Sequence, residues 1–257
     1  MKIIAFTKQS PNQKYSTRPS EDSFRYSEIK DRIIVAVADG ITRDMINGVY
    51  PNPSPAKISA DLFCQSFLEK PSFSYCNQKI KELNKRQNFQ VDYLGNDFWA
   101  CVGVGGVITN RVLQYEFIAD CGVIVYDKNG TLRFQTANEG PNSKGSIDND
   151  IRTKYNTGFN EDKGRVLIRS KYRNNIKEPL AYGALTGERS ALKYVKKGKV
   201  KLQEGDYVIF YSDGFYSLTS SKKFNISQIF NTLENYSEEN LNKIDGNEGT
   251  LVALRIQ

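Results

Sequence analysis

The chain has 257 residues, 39% of them hydrophobic and 25% charged, enough for one sizeable core and ordinary for a globular protein. It carries a formal charge of +7 and no histidine, which excludes Ser-His-Asp and Cys-His catalysis and leaves hydrolytic chemistry to carboxylates, a metal, lysine or tyrosine. Four scattered cysteines with no CxxC pair argue against zinc and read as reduced, buried thiols, and no apolar run is long enough to span a membrane.

No apolar h-region precedes Lys8, so a cytoplasmic location without a membrane partner is expected. The first strands are predicted at 3–6, 22–26 and 32–38. Ser54 then offers an N-cap with Pro55 at the first helical position, and Ile58, Leu62, Phe63 and Phe67 recur at helical spacing until Pro71. A second helix is predicted at 75–88. From 98 onward the period changes to two, giving strands at 98–108, 112–119, 122–126 and 131–137, with Lys128-Asn129-Gly130 as a hairpin cue.

Residues 138–164 are rich in Asn, Gly, Ser and charge and read as a long flexible excursion, which in a compact domain is more often functional than accidental. Strands are predicted to resume at 165–170 and 200–202. The lysine-dense run 193–201 reads as a solvated strand pair; nucleic acid is not expected there, whereas phosphorylated or acidic partners suit the charge. A strand at 208–211, helices at 226–236 and 238–243 and a closing strand at 250–256 complete a single α+β domain over 1–257. The expected architecture is a four-layer αββα sandwich, two mainly antiparallel sheets flanked by helices.

Two strands carry the same ending. Ile33-Ile34-Val35-Ala36-Val37-Ala38 runs into Asp39-Gly40, and Val208-Ile209-Phe210-Tyr211 runs into Ser212-Asp213-Gly214. One Asp-Gly is an ordinary turn pair. Two, on strands that could lie side by side, look like halves of a metal site. Glu21, Asp22, Asp120 and Glu248 join them at strand ends or adjoining turns. Carboxylate oxygens suit hard cations such as Mg²⁺ and Mn²⁺, and two such ions about 3.5–4 Å apart would turn a bridging water into the nucleophile a histidine-free chain lacks.

In order along nearly the whole chain, these residues resemble the metal-dependent protein phosphatases of the 2C (PPM) type, in a bacterial-like form. Arg18 with Glu21-Asp22 is similar to the family's amino-terminal Arg and Glu-Asp. Val37-Ala38-Asp39-Gly40-Ile41 is similar to its Val-Ala-Asp-Gly-Met, and Ala119-Asp120-Cys121-Gly122 stands where it has Gly-Asp-Ser-Arg. Gly205-Asp206 and Ser212-Asp213-Gly214-Phe215 resemble its Gly-Asp and Ser-Asp-Gly-Leu/Ile; Asn247-Glu248-Gly249-Thr250 resembles its closing Asp-Asn-Xaa-Thr.

The resemblance implies a serine/threonine phosphoprotein phosphatase, a monomer acting on a phosphorylated protein with two Mn²⁺ or Mg²⁺ ions. Asp39 would bridge the ions, Asp213 would hold one, and Glu21 with the Gly40 carbonyl would serve the other. Asp22 would hold water and Arg18 would bind the substrate phosphate. The departures are Asn247 at the family's last metal-binding Asp, where either the Asn247 carbonyl oxygen would ligate more weakly or Glu248 beside it would take the role, and Ser217 where a second Asp would pair with Asp120. They put a third ion in doubt. They also motivate an alternative: a catalytically weak or inactive pseudophosphatase serving as a binding or regulatory module.

Overall fold

A computed structural model describes residues 2–8, 20–41, 51–88, 90–141, 143, 145–215 and 248–257. The β-branched and aromatic runs form β1 (Lys2–Lys8), β2 (Ser23–Ile29), β3 (Arg32–Gly40), β4 (Cys101–Thr109), β5 (Val112–Ile118), β6 (Gly122–Tyr126), β7 (Leu132–Gln135), β8 (Lys196–Lys201), β9 (Tyr207–Tyr211) and β10 (Gly249–Arg255). They build two five-stranded sheets, sheet A in the order β1-β10-β9-β6-β7 and sheet B in the order β2-β3-β4-β5-β8. Every strand pairing within them is antiparallel. With the helices the result is an α+β sandwich.

Sheet B carries α1 (Pro55–Glu69) and α2 (Phe73–Arg86) on its outer face. Ser54 caps α1 as expected, its hydroxyl accepting from the Lys57 amide at 3.1 Å. The apolar stripe of α1 puts Phe63 and Phe67 against β4 at Gly103 and Gly105, where a Cβ would collide with their rings. On the opposite face of β4, Gly106 admits Phe210 from sheet A. Glycine on both faces thus brings helix, sheet and sheet into direct contact. This explains why β3, covered on both sides, reads as an unbroken apolar run. Phe63 and Phe210 are fully buried in the main core, and truncating such a ring typically costs about 3–5 kcal/mol. The outer face of sheet A carries a second cluster that includes Ile124, Tyr207, Ile209, Tyr211 and Phe215. All four cysteines are free and buried, as expected.

Two expectations are corrected. The Asp39 and Asp213 strands do not lie side by side: β3 belongs to sheet B and β9 to sheet A, so they face each other across the sandwich. Residues 165–170 are not a strand. The segment read as an excursion contains α3 (Ile147–Tyr155) and α4 (Asp162–Leu167), and the latter runs into a π-helical turn at Ile168–Tyr172. Their apolar residues Ile147, Ile151, Ile168 and Tyr172 close a small core of their own. Beyond it, buried Arg173 clamps buried Asp97 through two hydrogen bonds of 2.8 and 2.6 Å, tying the segment to the approach to β4. The helices expected at 226–236 and 238–243 lie outside the described residues. Among the described residues no helix is long and apolar enough to cross a membrane.

Candidate metal centre

Register explains why acids distant in sequence share one end of the sandwich. Ser23 pairs with Ala38, placing Glu21-Asp22 at the start of β2 beside Asp39 at the end of β3. In sheet A, Leu251 and Gly122 both pair with Tyr211, so the start of β10, the start of β6 and the end of β9 coincide. Glu248 precedes β10, and Asp213 lies in the short helical turn after β9. Asp120 sits where the chain crosses from β5 in sheet B to β6 in sheet A, after Ala119 turns with φ of 64°.

The two Asp-Gly pairs have a common cause. A Cβ on Gly40 would lie 2.5 Å from the carbonyl carbon and oxygen of Ala56 at the start of α1 and 2.8 Å from the Glu21 carbonyl. One on Gly214 would overlap the Glu248 carbonyl. Each glycine lets a neighbouring stretch of backbone close on the turn that carries the aspartate, so the close approach is to the protein's own chain.

The carboxylates disturb one another. Burial, then the nearby Glu248 charge, lifts Asp22 to about 6, against hydrogen bonds from Ser212 and Asp39 that pull it down. Asp39 is pushed well above the usual carboxylate range by burial and by Asp22, Asp213 and Asp120. Asp213 reaches the surface, yet the protein on its inner side and the charges of Asp120 and Asp22 raise it to about 7. Burial also raises Asp120. Among the described residues, none of the leading influences on these four groups is a cation. Such a cluster of mutually repelling oxygen donors fits hard divalent cations in chemistry; the Lys57 ammonium nearby is engaged with the Asp22 carbonyl at 2.9 Å and with Asp61 at 2.8 Å. As they stand, no three of the acids among the described residues are gathered tightly enough to enclose one ion.

Two residues have roles that the sequence motifs did not convey. The fully buried Ser212 hydroxyl donates to Asp22 Oδ2 at 2.6 Å and accepts from the Thr250 amide at 2.8 Å, while the Ser212 amide donates to the Thr250 carbonyl at 2.9 Å. It locks the start of β2 to sheet A. Glu248, expected as a metal ligand, uses Oε1 to accept from the Ser20 hydroxyl at 2.7 Å and the Glu21 and Asp22 amides at 2.6 and 3.3 Å. It braces the segment that carries Glu21 and Asp22. The only signal for either lay in motif position: Ser212 precedes Asp213, and Glu248 follows Asn247. Gly122, where the resemblance would place Arg, lies beneath the Tyr211 hydroxyl and Thr136, with no room for a side chain. Arg18, Ser217 and Asn247 lie outside the described residues.

No family model and no curated protein matches the sequence; the likeness is one of structure. RsbX in complex with magnesium superposes with a TM-score of 0.58 at 14% identity, covering 99% of this chain and 94% of that one. The S. agalactiae serine/threonine phosphatase gives 0.54 at 13% identity, covering 100% and 99%. The catalytic domain of the phosphatase PstP with two manganese ions gives 0.55 at 12% identity, covering 100% and 98%. The chain has the fold of the protein phosphatase 2C type serine/threonine phosphatases.

Proposed function

We propose that the protein is a metal-dependent phosphatase that hydrolyses phosphoserine or phosphothreonine in a protein substrate. The observation carrying this reading is the meeting of Asp39 from sheet B with Asp213 from sheet A, alongside Asp22 and Asp120, in a cluster of carboxylates that repel one another. Asp39 would hold two Mn²⁺ or Mg²⁺ ions, Asp213 one of them, and Glu21 with the Gly40 carbonyl the other. Bound there, the ions would supply an activated water and neutralise charge on the phosphoryl group. Asp22, fixed by the Ser212 hydroxyl, would orient water and pass a proton to the leaving alkoxide. Arg18 would grip the phosphate through its planar guanidinium. A cytoplasmic monomer of one domain is the form we assign.

Hydrolysis of p-nitrophenyl phosphate with Mn²⁺, abolished by EDTA and by Asp39→Asn or Asp213→Asn, is the expected result. Full EDTA-insensitive activity in either variant would sink the mechanism. A second reading, a pseudophosphatase, is favoured by Glu248: its carboxylate is engaged in bracing backbone, next to an Asn where the family resemblance expects a ligand. Phosphopeptide binding without turnover at millimolar Mn²⁺ would select it.

A further inference from the structure

Among the described residues, the helices leave one corner of the outer face of sheet B uncovered. Where α1 ends and the chain turns into α2, a cleft of about 690 Å³ opens over the sheet. Directly opposed residues of an antiparallel pair share a face, and the register therefore defines its floor. Lys197 and Lys199 of β8 oppose Glu116 and Gln114 of β5, and Arg32 of β3 reaches the same floor. Glu116 identifies the face as the helix side, because its Oε2 accepts from the Phe73 amide at the start of α2 at 2.8 Å.

The charge balance is one-sided. Arg32, Lys70, Lys197 and Lys199 line the cleft, and the sole acid among the described lining residues, Glu116, is engaged at the α2 N-terminus. β8 is also an edge: among the described residues it pairs with no strand but β5, and apart from the Lys201 carbonyl, which accepts from Arg133 at 3.4 Å, no backbone partner on its other side competes with an added strand. Lysines on an edge strand deter ordinary strands from adding to it, but they favour an acidic one.

We propose that the β8 edge and this cleft form a docking site for an extended acidic segment of a partner protein. Laid along β8 as an added strand, the segment would present every second side chain on the lysine face, so a Glu-x-Glu-x-Glu pattern meets Lys197, Lys199 and Lys201 in turn. A nucleic acid has no backbone ladder to offer the edge, and the cations are confined to one short cleft. The site is separate from the acid cluster: Arg32 lies about 23 Å from Asp39 by strand rise, and Lys197, level with Ala36 by register, stands three strands across the sheet at roughly 4.8 Å per strand.

The test uses the full chain and a fluorescein-labelled GEVEVEG peptide in an anisotropy titration at low and high salt. Saturable binding is expected, weakened by salt and by about ten-fold or more in Lys197→Glu/Lys199→Glu. Those side chains are exposed, so the variant should keep its melting temperature and its turnover of p-nitrophenyl phosphate. A proline-substituted peptide, GEPEPEG, with the same charge but fewer amide donors, should bind markedly less. No binding at millimolar peptide, equal binding to the double variant, or tighter binding of an oligothymidylate of equal charge would each overturn the proposal.

Discussion

The Ser212 hydroxyl donates to Asp22 Oδ2 at 2.6 Å across 190 residues of sequence, joining the turn after β9 to the start of β2. Ser212→Ala removes this buried bond, leaves the Thr250 amide without its acceptor, and frees Asp22 from an influence that lowers its pKa. A loss of about 1–3 kcal/mol in denaturant unfolding is expected, with a shift of the alkaline limb of the activity profile to higher pH, because Asp22 as proton donor must be protonated. An unchanged profile with unchanged stability would show that the bond does not position Asp22.

Glu248 allows the two readings of the site to be separated. As a brace it serves the Glu21 and Asp22 amides, so Glu248→Ala should cost about 1–3 kcal/mol of stability even with EDTA present. Glu248→Gln retains an acceptor and should recover much of that loss. If Glu248→Gln instead keeps full stability yet loses most of its Mn²⁺ affinity by calorimetry, the side chain acts chiefly as a ligand.

Stability should fall as pH rises in the absence of divalent ions. Asp22 and Asp213 titrate near 6 and 7 in the fold, against an ordinary 3.8. Between about pH 4 and 7 the folded chain therefore holds more protons than the unfolded chain, and stability is lost through that window before levelling off. In EDTA the melting temperature should be lower at pH 8 than at pH 5, and Mn²⁺ should raise it more at pH 8, where protons no longer compete. Asp22→Asn/Asp213→Asn should flatten the profile. A wild-type melting temperature that climbs across this range in EDTA would contradict the assignment.

The link between the α3–α4 segment and the body rests on a buried ion pair. Asp97→Ala leaves Arg173 charged, buried and unpaired, a change that typically costs about 3–5 kcal/mol. Amide exchange should report the loss in 147–173 first, before the sheets open. Uniform exchange across the whole chain would show that this segment is not a separate unit of stability.

Much of the fold was legible because local signals agreed. Ser54-Pro55 and the spacing of Ile58, Leu62, Phe63 and Phe67 fixed α1, and unbroken apolar runs marked β3, β9 and β10. The misreading of 165–170 has a physical source: Val166, Leu167 and Ile168 form a short apolar run, which fits strand or helix alike. Long-range packing decides it, with Ile168 and Tyr172 meeting Ile147 and Ile151 at helical spacing and Gly164 pressed against the Gly158 carbonyl. Asp39 and Asp213 could be picked out by their shared ending, yet no local pattern says which sheet a strand joins. Ser212 was visible as a letter in a motif but not as a bond to Asp22, because its partner lies far away in sequence.

That Asp39 and Asp213 hang from opposite sheets has a mechanical consequence. Any ion they share is a rivet through both plates of the sandwich, and its hold depends on the gap set by the side chains packed between them, Phe210 against Gly106 among them. A substitution deep in that packing, far from any carboxylate, changes the gap and with it the grip on the ion. Core and chemistry are calibrated together here, and a change that thickens or thins the layer between the sheets retunes the site at their edge.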